Sequence, residues 1–299
     1  MEGDVTYRVR HETLYQYSGV VAHSQQLLHL APRVSERQVI LEHALILDPV
    51  PALRRDAADA FGNPVSRLEF DRPYRSLRAV ADMKVRVSEG GVAAAAADTE
   101  TWESVRGSFT YRARPLSPTV LQAMPFRMQS PHIPIKHRFT RLAEPCFGVG
   151  TPVLVGAEAL MKKLHGELTY APGETSIATP LFTVLEKKRG VCQDYAHLMI
   201  ACLRAIGLPA RYVSGYLRTA VKDGVSALVG ADASHAWVSV YCPPLGWVDL
   251  DPTNNVRVGT DHITVAWGRD FGDVSPLRGV ILGGGSHELG VRVVVRREE

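Results

Sequence analysis

The stretch Gly190-Val191-Cys192-Gln193-Asp194-Tyr195-Ala196-His197 places a cysteine where an apolar helix is predicted to begin. Gly190 interrupts the preceding helical pattern, and an apolar run then continues from Val191 to Ile206, where Gly207-Leu208-Pro209 ends it. The apolar residues recur at helical spacing and cover nearly the whole circumference. The pattern therefore predicts a central helix that is buried on all sides.

Cys192 falls in the first turn of this predicted helix. A helix N-terminus carries unpaired N–H groups and a partial positive charge, which favour the thiolate form of a cysteine and so make it a nucleophile. The competing interpretation is a structural residue, because most free cysteines behave as small buried hydrophobes. We give that structural interpretation to Cys146, Cys202 and Cys242, which have no ionising neighbour in sequence. The four cysteines form no C-x-x-C pair, which argues against a zinc knuckle or a thioredoxin-like site.

Composition describes an ordinary folded protein without an obvious macromolecular partner. The 299 residues are 45% hydrophobic and 22% charged, and the formal net charge is +3. So small a charge predicts binding neither to nucleic acid nor to an anionic membrane. The first residues lack the pattern of a signal peptide, and no apolar stretch approaches a membrane span, so we expect a cytoplasmic protein without disulfides.

The chain is long enough for two domains, and its patterns predict an α+β fold. Residues 1–98 are predicted to form an N-terminal β-rich domain, since short segments alternate apolar and polar residues between turn clusters. Residues 99–152 are predicted to form a helical and irregular connection, and 153–299 a catalytic core with C-terminal strands. The core is predicted to include helices over 153–165 and 179–188, with Thr179 as the N-cap, and a strand over 210–217.

A β-hairpin is predicted close to the C-terminal side of the core. Residues 234–242 alternate with period two, a turn follows at 243–246, and 247–253 form a second strand. If the pairing is centred on Pro243, His235 lies directly opposite Asp251 on one face of the sheet. Asp249 shares that face and is the rival partner for the histidine. A slip of one residue would separate the faces, so the contact is permitted by the sequence rather than required.

These residues suggest a nucleophile, a base and an orienting acid. Asp251 would hold one ring nitrogen of His235 and leave the other to exchange a proton with Cys192. The alternative for His235 is a satisfied histidine in a half-buried strand. Trp237 either lines a substrate-binding site or fills the core. A metal site built from His235, Asp232, Asp249 and Asp251 fits no strong ligand spacing, so we expect no metal and no other cofactor.

Five segments of the sequence resemble proteins of the bacterial transglutaminase-like superfamily. The core segments are GVCQDYAHLMIACLRAIGLPARYVSGYL (190–217), GADASHAWVSVYCPPLGWVDLDPTNN (230–255) and GRDFGDVSPLRGVILGGGSHELGV (268–291). RHETLYQYSGVVAHSQQLLHLAPR (10–33) and DAFGNPVSRLEF (59–70) resemble the β domain that precedes this core in one bacterial branch. The resemblance covers nearly the whole chain, and its motifs are specific in combination.

The resemblance implies a papain-like core in which Cys192 is the nucleophile, His235 the base and Asp251 the third member. It implies attack on a protein or peptide amide to form a thioester, followed by transfer to an amine or to water. The sequence leaves open a cysteine protease or amidase with the same three residues, and a non-enzymatic peptide-binding module. No Asp-rich calcium loop is present. The only oxyanion donor that the sequence supports is the backbone N–H of Cys192.

Overall fold

The structure is a computed structural model that describes residues 3–89, 95–110, 115–218, 221–222, 225–226 and 234–298. It has the predicted α+β architecture, in which an N-terminal β-sheet precedes a core of helices and a second sheet. Within the described ranges, no helix combines the length and apolar composition needed to cross a bilayer.

The N-terminal sheet is organised around its first strand, which is 24 residues long. The strands of this region are β1 (Val5–Leu28), β2 (Gln38–Asp48), β3 (Leu53–Ala58), β4 (Pro64–Phe70) and β5 (Tyr74–Val87). In the sheet, β5 and β4 pair with β1, β2 pairs with β5, and β3 pairs with β4. Tyr7 and Val9 on β1 are fully buried, whereas Arg8 is half-buried and Arg10 is exposed, as the period-two alternation of the sequence predicts.

The rest of the chain supplies the connection and the core. The helices are α1 (Trp102–Ser108), α2 (Pro118–Ala123), α3 (His137–Ala143), α4 (Val153–Glu167), α5 (Leu181–Lys187), α6 (Cys192–Ala205) and α7 (Phe271–Val274). The strands are β6 (Thr169–Tyr170), β7 (Arg189–Gly190), β8 (Ala210–Leu217), β9 (Val221–Lys222), β10 (Val225–Ser226), β11 (His235–Tyr241), β12 (Trp247–Asp251), β13 (Val256–Arg257), β14 (His262–Gly268), β15 (Leu277–Gly283) and β16 (His287–Glu298).

The core is a sheet in the order β13-β12-β11-β8-β14, against which α6 packs. Every residue of α6 from Asp194 to Arg204 is buried, so the helix is central, as predicted. The predicted strand over 210–217 is present with those bounds. The helix predicted from Thr179 begins instead at Leu181, because Pro180 has extended backbone and occupies the N-cap. The sequence also predicts a loop or short hairpin at 221–230. There β9 pairs with β10, and residues 223–224 and 227–230 lie outside the described part.

The last two strands of the predicted unit 153–299 pair with the N-terminal sheet. Strand β16 pairs with the first half of β1, from Thr6 to Tyr17, and β15 pairs with its second half. The opposite edge of β1 is covered by β5 and β4. A long strand needs partners on both edges to satisfy its backbone groups, and β15 and β16 are the partners on the second edge. Sequence periodicity identifies strands but not this pairing.

The predicted hairpin forms, but its register differs from the predicted one by two residues. Tyr241 pairs with Trp247 and Val238 with Leu250, so the turn is centred on Pro244 rather than Pro243. The reason is Gly246, whose φ of 78° lies in the left-handed region. It is the last residue of the turn at 243–246, and its carbonyl accepts from the Cys242 N–H. Extending this register places Asp251 opposite Trp237, so the expected direct pairing of His235 with Asp251 is wrong.

Two buried carboxamides attach the N-terminal sheet to the free edge of β14. The Thr264 N–H donates to Oε1 of Gln38 (2.8 Å), and Nε2 of Gln38 donates to the Thr264 carbonyl (2.7 Å). Asn63 makes the same pair of bonds with the backbone of Trp267, at 2.9 and 2.8 Å. Each carboxamide thus replaces one residue of a missing neighbouring strand. Because both are buried, the two regions are joined by hydrogen bonds shielded from water.

We expect Asn63→Ala and Gln38→Ala each to lower the free energy of unfolding by about 2–4 kcal/mol, because each leaves a backbone N–H and C=O of β14 buried without partners. Urea unfolding measures the loss. Gln122→Ala, at an exposed position of α2, is the control and should change stability by less than about 0.5 kcal/mol. Equal effects at buried and exposed positions would contradict this account of the edge.

Candidate active site

Cys192 is the first residue of α6 and is half-buried. Asp194, in the same turn, accepts from the Val191 N–H through Oδ2 (2.8 Å) and from the Thr175 hydroxyl (2.6 Å). The carboxylate therefore binds the backbone just before the helix, as the acidic residue of a capping box does. Burial raises the pKa of Asp194, although these two hydrogen bonds oppose the shift. The bonds hold the turn that carries the thiol.

Gly190 is required by the same turn. A Cβ at this position would lie 2.7 Å from both Cβ and Oδ2 of Asp194, closer than such atoms approach in proteins. The residue also pairs with Tyr170 in the two-stranded parallel sheet of β6 and β7. Gly190 therefore lets the chain pass close to Asp194 before α6 begins, whereas the preceding helix α5 already ends at Lys187.

His235 is the first residue of β11 and is 1% exposed. Its Nε2 donates to Oδ2 of Asp251 at 2.8 Å, and both side chains are completely buried. Burial by itself lowers the pKa of a histidine, but the charge of Asp251, the nearby Cys192 and the hydrogen bond to Asp251 raise the pKa of His235 to about 10. The ring is therefore an imidazolium at neutral pH.

The second ring nitrogen of His235, Nδ1, is the one left for Cys192. It is buried and makes no hydrogen bond of good geometry with the described residues, yet Cys192 is near enough to raise the pKa of the ring. Catalytic hydrogen bonds are often long without substrate and tighten when it binds. The structure thus brings Cys192, His235 and Asp251 together, with the histidine in the middle.

Asp251 reaches His235 across the diagonal of the hairpin, because β12 ends at Asp251 and the chain turns there. Its Oδ1 accepts from the backbone N–H groups of Thr253 (3.0 Å) and Asn254 (3.3 Å). Its Oδ2 accepts from Nδ2 of Asn254 (2.7 Å) in addition to His235. Burial alone would raise the pKa of Asp251, but the nearby histidines hold it well below its usual range. Asp251 is therefore a buried carboxylate that stays ionised.

Trp237 belongs to the packing around the site. Its side chain is fully buried, and its Nε1 donates to Oδ2 of Asp249 at 3.2 Å. A Cβ on Gly215, the residue opposite His235, would lie 2.3 Å from the Trp237 ring. Of the two roles considered for Trp237, this burial favours packing, and the substrate-binding role stays a prediction. Asp249, the other aspartate considered as the partner of His235, instead accepts this hydrogen bond from the Trp237 indole.

A second histidine, His262, also contacts Asp251, and sequence reasoning missed it. It is the first residue of β14, and its Nε2 lies 3.2 Å from Oδ2 of Asp251. The side chain is 2% exposed, and its ring meets that of Trp237 edge to face at 5.3 Å. The residue lies 27 positions after His235 on a strand that does not neighbour β11, and no spacing in the sequence links the two.

Three other ionisable residues at or near α6 and α7 have structural roles. Nε2 of His197 accepts from the Phe271 N–H at 3.1 Å, and burial lowers the pKa of this histidine to about 3. It is therefore a neutral acceptor at the start of α7 and not a second base. Asp270 caps the same helix by accepting from the Gly272 N–H, and Asp273 binds the Arg269 side chain.

No group of three or more His, Cys, Asp or Glu side chains within the described ranges is arranged to hold a metal ion. Asp232, one member of the metal alternative considered above, lies outside those ranges. Cys146, Cys202 and Cys242 are free, and burial raises the pKa of each thiol. Cys192 is thus distinguished from the other thiols by its place at a helix start beside an imidazolium.

Family models match both parts of the chain. The model of the transglutaminase-like superfamily matches residues 140–252, and that of the bacterial transglutaminase-like N-terminal region matches residues 7–86. A protein-glutamine gamma-glutamyltransferase of Pseudomonas aeruginosa is 39% identical over 111 residues, which are 35% of this chain and 16% of that protein.

Relatives and solved structures extend the similarity to the full length. An uncharacterized protein of Mycobacterium tuberculosis is 38% identical over 287 residues, covering 94% of this chain and 89% of that protein. A crystal structure from Cytophaga hutchinsonii, described as a "Putative Cysteine Protease", superposes with a TM-score of 0.75 at 21% identity, covering 100% of this chain and 92% of that one. At that identity, the superposition supports the fold alone. With the matches to both regions, these findings establish that the chain belongs to the transglutaminase-like superfamily, in the branch with the bacterial N-terminal region.

Proposed function

We propose that the protein transfers the acyl group of a glutamine carboxamide in a protein or peptide, through a thioester on Cys192, to an amine or to water. The observation that carries the proposal is His235, held between a half-buried cysteine at a helix start and a buried, ionised aspartate. This is the nucleophile, base and orienter arrangement of acyl-transfer enzymes. The partial match to a protein-glutamine gamma-glutamyltransferase supports glutamine as the donor.

The first half of the proposed reaction forms the thioester. Cys192 Sγ, as a thiolate paired with the His235 imidazolium, attacks the carbonyl carbon of the amide. The N–H of Cys192 lies in the first turn of α6, has no intrahelical acceptor and is our candidate donor to the oxyanion. As the C–N bond breaks, Nδ1–H of His235 gives its proton to the leaving amine. Asp251 keeps Nε2 engaged, so that Nδ1 points at the reacting groups.

The second half of the reaction releases the acyl group. An amine or a water molecule attacks the thioester carbon, and the now neutral His235 takes the proton of this nucleophile at Nδ1. The C–S bond then breaks and restores the thiolate and imidazolium. The same steps describe a transferase when the acceptor is an amine and an amidase or protease when it is water. The choice between them depends on the access of water and amine to the thioester.

Intact-mass measurements after incubation with glutamine-containing peptides, with and without a primary amine, test the proposal. We expect amine incorporation into the peptide, and we expect Cys192→Ala to abolish it, because the thioester cannot form. Deamidation or cleavage without incorporation would assign the hydrolase chemistry instead. If no peptide is modified by the wild-type protein, the non-enzymatic peptide-binding alternative gains support and the proposed reaction is refuted.

We expect iodoacetamide at pH 6 to label Cys192 well ahead of Cys146, Cys202 and Cys242. The raised pKa of His235, about 10, keeps the imidazolium present at pH 6 and stabilises the neighbouring thiolate. His235→Ala should slow labelling at pH 6 by at least about tenfold, because the thiolate must then form without its counter-ion.

The difference between wild type and His235→Ala should shrink as the pH rises through about 8.5, the pKa of a free cysteine, because a thiol without a counter-ion then ionises as well. The control is His137→Ala, which replaces an exposed histidine and should label like the wild type. Peptide mapping after a timed quench gives the rate at each cysteine. Uniform labelling of all four thiols would contradict the assignment of Cys192.

We expect Asp251→Asn to slow single-turnover acylation of Cys192 by about three orders of magnitude, because the variant lacks the charge that orients His235 and stabilises its protonated form. Asp249→Asn is the matched control, since Asp249 lies on the same strand but binds Trp237. Its rate should fall by far less. Circular dichroism verifies that both variants are folded. A larger loss in Asp249→Asn would mean that the third member of the triad is misassigned.

A further inference from the structure

Oδ2 of Asp251 is shared by three donors, of which two are imidazoles. Nε2 of His235 lies at 2.8 Å, Nδ2 of Asn254 at 2.7 Å and Nε2 of His262 at 3.2 Å. A carboxylate oxygen only accepts, so each of these nitrogens carries a hydrogen directed at it. The rings of His235 and His262 are 6.4 Å apart and reach the same oxygen from two different strands.

The contact with Asp251 is the only side-chain hydrogen bond that His262 makes with the described residues. Its Nδ1 is buried and has no hydrogen-bond partner there, and its ring packs against the edge of Trp237. A buried polar side chain normally satisfies its hydrogen-bonding groups, and an apolar residue would fill the same volume without an unpaired nitrogen. Packing alone therefore does not account for a histidine here. The N–H that it directs at Asp251 accounts for the histidine.

We infer that His262 is a positioning residue for the reaction proposed above, on which this inference rests. By donating Nε2–H to Oδ2 of Asp251, it holds the carboxylate from β14, a strand outside the hairpin. The carboxylate then holds His235 with Nδ1 toward Cys192. In this role His262 acts only through Asp251, its side-chain hydrogen-bond partner among the described residues. The backbone of β14 supports this geometry, because Gln38 binds Thr264 two residues further along.

Three substitutions separate donation from packing. His262→Gln retains an N–H donor close to the position of Nε2, His262→Leu retains the volume without a donor, and His262→Asn retains an amide that is too short to reach Asp251. We expect the Leu and Asn variants to lose about 10- to 100-fold in the single-turnover rate of Cys192 acylation, the loss of one hydrogen bond to a charge. KM should stay unchanged, and the Gln variant should remain within about threefold of wild type.

A spectroscopic measurement tests the inference without activity. In protein labelled with 15N-histidine, His262 of the wild type should be the Nε2–H tautomer, and the Nε2–H signal of His235 should shift in His262→Leu but return in His262→Gln. An Nδ1–H tautomer in the wild type would overturn the inference, even if every variant failed to fold. So would a Leu variant with the rate and the signal of the Gln variant.

The two proposals fail in different ways. If wild-type protein never acylates Cys192, the proposed function is wrong whatever the imidazole signals show. If wild type reacts but His262→Leu reacts equally fast, the function stands and the positioning role is refuted. Thermal unfolding of each variant separates a change in the site from a general loss of stability.

Discussion

The arrangement of the site depends on one buried ion pair, between His235 and Asp251. Removing an aspartate from water is costly, and a lone partner rarely offsets that cost. Here at least five donors among the described residues converge on the carboxylate: two histidine side chains, the Asn254 amide and two backbone N–H groups. They come from β11, from β14 and from the turn that ends β12. The charge can therefore stay buried only while all three segments are in place.

This dependence gives the N-terminal region a part in the chemistry although it supplies no reacting group. Its carboxamides at Gln38 and Asn63 hold β14, the strand that begins with His262. Tyr7 on β1 contributes a further bond, donating to Asp261, the residue before His262. The N-terminal region thus supports the strand that supplies one of the donors to Asp251.

Local patterns in the sequence predicted most of the fold and the three central residues of the candidate site. The helix at Cys192 and the hairpin that follows it are short-range features, which periodicity and turn residues reveal. The register could not be predicted, because a turn over 243–246 is compatible with more than one pairing of the two strands. His262 was missed because its partner lies 11 residues away on a strand that is not its neighbour. Trp237 remained ambiguous because burial is a tertiary property.

The pairing of β15 and β16 with β1 has a consequence for how the chain acquires its structure. Strand β1 leaves the ribosome before residues 277–298, so one of its edges stays unpaired until those residues are made. Until then, a 24-residue strand with alternating apolar residues exposes unpaired backbone groups, which readily recruit other strands. Contacts between such distant segments also slow folding. The nascent protein is therefore prone to aggregation until β15 and β16 are made. A chain truncated before β15 would retain the unpaired edge of β1.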